Sequence, residues 1–125
     1  MQTNSQKMAQ AAYGRLSDSK VTKEFRSVSR GFPTMVHRSG LLQAISFAQS
    51  KGAGPHGEYL MVLVDVLKAV GFSGSADVKA LHATILKMPS LEYMRISRAA
   101  LEAAGWIKRY AEALAPGSAK AGETA

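Results

Sequence analysis

Hydrophobic positions recur with helical spacing along most of the chain. In the stretch KVTKEFRSVSRGF, residues 20–32, the apolar residues follow one another at intervals of four, three and four. At 3.6 residues per turn, this spacing places them on one side of a helix. The pattern therefore predicts an amphipathic helix with a buried apolar face. A solvated stripe of four cations lies about half a turn away, formed by Lys20, Lys23, Arg26 and Arg30.

A shorter helix is predicted before this stretch. Its apolar residues keep helical spacing after Thr3 and Asn4, which are candidate N-cap residues. The sequence SDSK at 17–20 breaks the pattern, and Ser19 is a candidate cap for the following helix.

The chain after the amphipathic helix contains several helix breakers. The helix is expected to end near Gly31, and Pro33 is suited to begin a short helical turn. A further apolar-periodic helix is predicted to begin at Ser39. The sequence GAGPHG at 52–57 is predicted to form a mobile loop, because its glycines and proline disfavour a helix.

The segment from Glu58 to Val70 is apolar on nearly every side, which is typical of the central buried helix in an all-α domain. A buried parallel strand is the alternative. The segment is longer than an ordinary strand, and Gly71 follows at the position of a C-cap glycine, so both features favour a helix.

Two more helices are predicted after the loop SGSAD. VKALHATILKM is expected to direct Val78, Leu81, Ile85 and Met88 inward. The last helix, ISRAALEAAGWIKRYAEALA, is rich in helix-forming residues, and its apolar stripe comprises Ile96, Ala100, Ala103, Ile107, Tyr110 and Leu114.

Gly105, inside this last helix, suggests the close approach of a neighbouring helix or subunit, although a glycine without such a role is the alternative. No run of any length alternates between apolar and polar residues. The sequence therefore predicts one all-α domain, a compact bundle of about six helices over residues 1–115. The first few residues and the tail at 116–125 are expected to be disordered.

The composition narrows the classes of function. The 125 residues carry a net charge of +7, and residues 1–51 hold eight Lys and Arg against Asp18 and Glu24 only. Such an excess favours a polyanionic partner, either nucleic acid or an anionic membrane, although a merely soluble basic surface is the alternative. There is no cysteine, so disulfides, Cys-based zinc sites and thiol nucleophiles are excluded. The sequence shows no signal peptide and no apolar run that could span a membrane, and a cytoplasmic location is expected.

The residue pattern does not favour an enzyme. His37, His56 and His82 fall on three different elements without the spacing of metal ligands. No glycine-rich phosphate-binding motif is present. Carboxylates four residues from a cation are interpreted as surface ion pairs, as in Arg98 with Glu102 and Lys108 with Glu112. We therefore expect no catalytic activity, metal ion, cofactor or small-molecule substrate.

The last helix carries a second basic face, where Arg95, Arg98 and Arg109 lie together with Trp106 at the edge. Two basic helical faces without a base-reading motif favour contact with phosphates and no sequence specificity. Trp106 could stack on a base, but a lone tryptophan in an alanine-rich helix is more often a packing residue.

Two stretches resemble a known family. FPTMVHRSGLLQAISFAQSKG resembles the signature Pro-x-Met/Leu-Ile-x-x-Asn-Gly-Leu-x-x-x-Leu-x-Phe-x-x-x-Lys, and EYMRISRAALEAAGWIKRYAEAL resembles the ending Tyr-Arg-x-x-Thr-x-x-Ala-Leu followed by Trp-Leu-Lys-Arg-Phe-Ala. The signature and the ending are motifs of the small all-helical subunit of the type III-B CRISPR RNA-targeting (Cmr) effector complex. The resemblance covers roughly residues 8 to 114. This chain departs from the family pattern at three positions, where it has Ser39 in place of Asn, Phe25 in place of Tyr and Ser97 in place of Thr.

The resemblance implies a non-catalytic subunit for antiviral defence. Its partners would be the other Cmr subunits, further copies of itself, the guide RNA and the target RNA, with no membrane involved. In that family the copies stack along the complex, beside the backbone subunits that hold the guide RNA. The motif positions imply RNA contact by Arg38, Lys51, Lys108 and Arg109 first, and by Arg95 and Arg98 next. Lys20, Lys23, Arg26 and Arg30 are RNA-binding candidates from the stripe alone.

Other functions stay open at this point. A free-standing basic helical protein could bind DNA or RNA without a guide complex. A recognition helix would need Asn, Gln or Arg near its start, and GLLQAISFAQ offers only Gln43 and Gln49 amid apolar residues. The small subunits of type III-A and type I CRISPR complexes are also helical. A membrane-surface helix is the least favoured alternative, because no free helix face sets large apolar side chains against lysines.

Overall fold

The computed structural model describes residues 1–72 and 77–116 and contains six α-helices in this part of the chain. No strand occurs among the described residues, so the prediction of an all-α bundle of about six helices is confirmed. The helices are α1 (Asn4–Ser17), α2 (Lys23–Ser39), α3 (Leu41–Ser50), α4 (Pro55–Ala69), α5 (Val78–Leu86) and α6 (Ser90–Ala113).

Helix α1 begins with the predicted cap. The Thr3 hydroxyl accepts a hydrogen bond from the Gln6 N–H at 3.1 Å, and the Gln6 side chain accepts one from the Thr3 N–H at 2.7 Å. This reciprocal capping box satisfies two donors at the helix start. Residues 1–3 precede the helix and are exposed, and their disorder stays a prediction.

Helix α2 begins later than predicted, because its cap is Thr22 and not Ser19. The Thr22 hydroxyl accepts from the Phe25 N–H at 3.0 Å, whereas the Ser19 hydroxyl donates back to the Arg15 carbonyl. Lys20 consequently lies in the connection before α2 and not on its surface.

The same helix runs through the predicted break near Gly31. Pro33 lies inside α2, and the predicted separate turn is wrong. Phe32 and Val36, on either side of Pro33, are both buried, and this core packing holds the helix together although proline removes one backbone hydrogen bond.

The real break is Gly40, whose φ of 88° lies in the left-handed region that glycine tolerates. Ser39 is the last residue of α2, so the predicted start of a helix at Ser39 is wrong. Helix α3 has no side-chain cap of its own. Instead, the Tyr93 hydroxyl of α6 accepts from the Leu42 N–H at 3.1 Å, so α6 fixes the start of α3.

Helix α4 is the predicted central helix and contacts all five others. Its buried residues are Tyr59, Leu60, Val62, Leu63, Val64, Val66 and Leu67. It begins at Pro55, at the position where proline is favoured, so the prediction of a mobile loop over 52–57 is wrong for its second half. The prediction that a glycine ends this helix is confirmed, since Gly71 follows it with a φ of 98°, in the left-handed region.

The inward residues of the last two helices largely follow the prediction. Leu81 and Ile85 of α5 are buried, and Val78 and Met88 are partly buried. The stripe of α6 faces the core, where Tyr110 and Leu114 are partly buried and the other four residues are fully buried. Most of the predicted SGSAD loop and nearly all of the predicted tail lie outside the described residues.

Candidate nucleic-acid interface

The outer side of α2 lies between two open clefts. The first, here called the α2–α6 cleft, has a volume of about 540 Å³. Pro33 and His37 of α2 form one wall. The other wall belongs to α6 and consists of Leu101, Gly105, Lys108, Arg109 and Glu112.

An ion pair crosses from α2 to α6 at this cleft. Arg30 donates to both carboxylate oxygens of Glu112, with distances of 2.6 and 3.0 Å. These hydrogen bonds are the main reason why the pKa of Glu112 is lowered, and the charges of Arg30, Arg26 and Lys108 lower it further, while desolvation opposes them. Among the described residues, the only carboxylate that lines the α2–α6 cleft is therefore already neutralised by α2.

The predicted pairs on the surface of α6 do not form. Glu112 binds Arg30 and not Lys108, and Glu102 accepts a hydrogen bond from the Ser5 hydroxyl of α1 and not from Arg98. Across residues 1–72 and 77–116, neither Lys108 nor Arg98 has an ion-pair partner. Because α6 packs against α1 and α2, these carboxylates bind residues of those helices and not the cations one turn away on α6.

Lys108 and Arg109 are both exposed. The Arg109 guanidinium lies 5.3 Å from the centre of the Trp106 ring, and that ring stacks on Tyr110 with the centroids 5.9 Å apart. Tyr110 in turn contacts Tyr13 of α1 edge to face. Trp106 is half-buried against these neighbours, which agrees with its interpretation as a packing residue.

The predicted stripe of four free cations is not present. Lys20 precedes α2 and lines a separate cleft near α1 and α4. Arg26 is half-buried, and its Nε is buried without a hydrogen-bond partner among the residues that the structure describes. Arg30 is bound to Glu112. Of the predicted stripe, Lys23 is therefore the cation on the described part of α2 that is exposed and has no ion-pair partner.

The second cleft, here called the α2–α3 cleft, consists of two adjoining depressions of about 210 and 350 Å³. Gly31, Met35 and Phe47 line both of them. Arg38 lines the larger depression, and His56 lines the smaller one.

Phe47 is 40% exposed at this cleft. The Lys51 ammonium lies 5.0 Å from the centre of its ring, and the His56 ring meets it edge to face at 5.9 Å. Sequence reasoning missed Phe47 as a site residue. The available signal was its position four residues before Lys51, which places the two side chains on the same side of a helix.

The remaining candidates on α6, Arg95 and Arg98, are exposed toward its N-terminal half and line neither cleft. The structure thus brings Lys108 and Arg109 to one cleft and Arg38 and Lys51 to the other, on the two sides of α2.

No three metal-ligating side chains come together in the described part of the chain. None of its described helices is long and apolar enough to cross a bilayer. Taken together, the fold and the clefts define a small, basic, all-helical domain with four exposed cations, Arg38, Lys51, Lys108 and Arg109, at the clefts on the two sides of α2.

Residues 4–114 match the family model described as CRISPR-associated protein (Cas_Cmr5). The chain belongs to this family, and the resemblance to the small Cmr subunit is confirmed. It is 33% identical over 117 residues to the CRISPR system Cmr subunit Cmr5 of Thermus thermophilus, covering 91% of this chain and 97% of that protein. The crystal structure of a CRISPR-associated Cmr5 family protein from the same organism is similar, with a TM-score of 0.79 and 32% identity over 91% of this chain and 98% of the other.

Proposed function

We propose that this protein is the small, non-catalytic subunit of a type III-B Cmr effector complex, and that the surface around α2 helps to hold the target RNA. Family membership and the similarity to a named Cmr subunit support the place in such a complex. Its partners are then the other Cmr subunits and further copies of this chain, stacked along the complex beside the guide RNA.

One observation carries the RNA-binding part of the proposal. Exposed cations, namely Lys108, Arg109, Arg38 and Lys51, lie at the clefts on both sides of α2. Since the Glu112 carboxylate is occupied by Arg30, the α2–α6 cleft has net positive charge. Such a surface attracts a phosphate backbone without reading its sequence, as a subunit that must accept many different targets requires.

The other basic candidates have smaller roles in this proposal. Lys23, Arg95 and Arg98 are exposed and would add to the field that attracts the RNA. Lys20 lines a different cleft and so does not share this ligand. Arg30 is held by Glu112, and Arg26 is half-buried, so neither is an exposed free cation.

Reversing the charge of Lys108 and Arg109 tests the proposal. The variant Lys108→Glu/Arg109→Glu should bind an unstructured single-stranded RNA about tenfold or more weakly than the wild type. The slope of log affinity against log salt should fall by about 0.7 for each phosphate contact that is lost. Fluorescence anisotropy over a series of salt concentrations measures both quantities.

The matched control is Lys79→Glu/Lys87→Glu, which makes the same charge change at α5, a helix that packs on α3 and α4. This variant should keep most of the wild-type slope. An equal loss in both variants would mean that only net charge matters. An unchanged slope in the Lys108→Glu/Arg109→Glu variant, together with failure to assemble with the other subunits, would assign this face to protein contact instead.

A further inference from the structure

We propose that the α2–α3 cleft binds one unstacked base of the RNA, with the ring of Phe47 as the stacking surface. This inference rests on the RNA-binding role proposed above and adds to it the chemical group that is recognised. Aromatic side chains beside a basic groove are how proteins hold single strands without sequence preference, because every base has a π-face.

The position of Phe47 suits this role. Its neighbour Ala48 is buried, as are Ala44 and Ile45, so α3 is fixed against the core while the ring forms a wall of the cleft. With 40% of its surface exposed, the ring is held in place by the rigid helix and yet is open to a ligand. A site on a rigid helix loses little freedom when a base binds.

The cleft beside the ring is open and apolar at its base. Val28, Phe32 and Ala48 line the smaller depression. Gly31 lines both depressions, and a Cβ built at this position would meet no atom within 4 Å. The packing of the chain therefore leaves this space free, and an apolar slot of this kind suits the flat face of a base.

Charge favours a nucleotide over an apolar peptide as the occupant. Among the described residues that line the two depressions there is no aspartate or glutamate, and the ionisable ones are Arg38 and His56. Lys51 lies directly against the ring. A base on Phe47 would thus have Lys51 beside the ring and Arg38 in the same cleft to attract the flanking phosphates.

Trp106, the other candidate for stacking, is already occupied. Its ring contacts both Tyr110 and the Arg109 guanidinium within the chain. The ring of Phe47, by contrast, meets His56 edge to face and carries the ammonium of an exposed lysine. A cation–π contact at an exposed site is weaker than base–aromatic stacking, so a base can take the place of the ammonium, which is then free to bind a phosphate.

The test compares Phe47→Leu with Phe47→Tyr. Leucine keeps an apolar side chain at the wall of the cleft but removes the π-face, whereas tyrosine retains it. The probe is an unstructured single-stranded RNA that carries 2-aminopurine, whose fluorescence is quenched on stacking. We expect Phe47→Leu to bind about tenfold more weakly and to lose the quenching, with an unchanged salt slope because no phosphate contact is removed. Phe47→Tyr should bind within about twofold of the wild type.

A ribose-phosphate oligomer without bases is the second probe. The wild type and Phe47→Leu should bind it equally, because stacking is absent in both cases. Circular dichroism and thermal unfolding verify that both variants are folded, and the quenching by the wild type tests the proposal independently of either variant.

Four results would overturn the inference. If the wild type binds RNA with a steep salt slope but does not quench 2-aminopurine, or if Phe47→Leu binds RNA as tightly as the wild type, stacking at Phe47 is wrong although RNA binding stands. If Phe47→Leu keeps RNA binding but no longer associates with a second copy of the chain or with other subunits, the cleft is a protein interface. If the wild type binds no RNA at all, the proposed function itself fails.

Discussion

Replacing Gly40 with alanine is expected to lower the free energy of unfolding by about 2–4 kcal/mol. Gly40 has φ 88° and ψ 162°, a backbone conformation that is essentially restricted to glycine. A Cβ at this position would lie 3.1 Å from the Tyr93 hydroxyl. That hydroxyl accepts the Leu42 N–H at the start of α3, so the substitution disturbs the turn and the cap together. Urea denaturation followed by circular dichroism measures the change.

The control for this substitution is Gly14→Ala. Gly14 lies inside α1, is exposed, and has no atom within 4 Å of its missing Cβ. Alanine there should raise the free energy of unfolding by about 0.5–1 kcal/mol, because it reduces the conformational entropy of the unfolded chain. If Gly40→Ala were stabilising as well, the sharp turn between α2 and α3 would not exist as described.

Leu63→Ala is expected to have a similarly large effect, lowering the free energy of unfolding by about 2–5 kcal/mol. Leu63 is completely buried in α4, the helix that contacts all the others. Truncation there removes apolar contacts and leaves a cavity that the surrounding helices cannot fill fully. The loss should appear in the midpoint of urea denaturation with little change in its slope.

Met61→Ala provides the matched control on the same helix. Met61 is 53% exposed, so its truncation should change the free energy of unfolding by no more than about 0.5 kcal/mol. Equal effects at the two positions would contradict the placement of α4 at the centre of the bundle.

Much of the fold could be predicted from local sequence. The helical spacing of apolar residues identified α1, α5 and α6, and the nearly continuous apolar segment after Glu58 identified the central helix. These patterns are reliable because each one records which face of a helix is removed from water. The Thr3 cap was predictable for a related reason, since its partner is only three residues away.

The breaks around α2 could not be predicted in this way. Pro33 and Gly31 disfavour a helix locally, but Phe32 and Val36 bury their side chains only if the helix continues. Tertiary packing decided against the local preference. The helix ends at Gly40 and not near Gly31. The Leu42 N–H at the start of the next helix donates to the Tyr93 hydroxyl, which is 51 positions away in the sequence.

The sequence identifies candidate cations for the site, but it does not indicate which of them are held in ion pairs. The motif positions led to Lys108 and Arg109, which share a cleft with His37. Arg30 and Glu112 are 82 residues apart in the sequence, so no local pattern indicates their ion pair. This pair neutralises one cation of the predicted stripe and the carboxylate of the α2–α6 cleft. Contacts between helices, and not spacing along one helix, determine which surface charges are left without an ion-pair partner among the described residues.

The most direct test of the central claim is photo-crosslinking of a target RNA that contains 4-thiouridine to the protein within the reconstituted guide-loaded complex. Mass spectrometry of the digested complex would then locate the crosslinked peptides on this chain. The proposed function predicts crosslinks in the segments that flank the clefts of α2, at residues 31–51 and 101–112. Crosslinks confined to α4 and α5, at residues 58–69 and 78–86, or no crosslink to this chain at all, would contradict it.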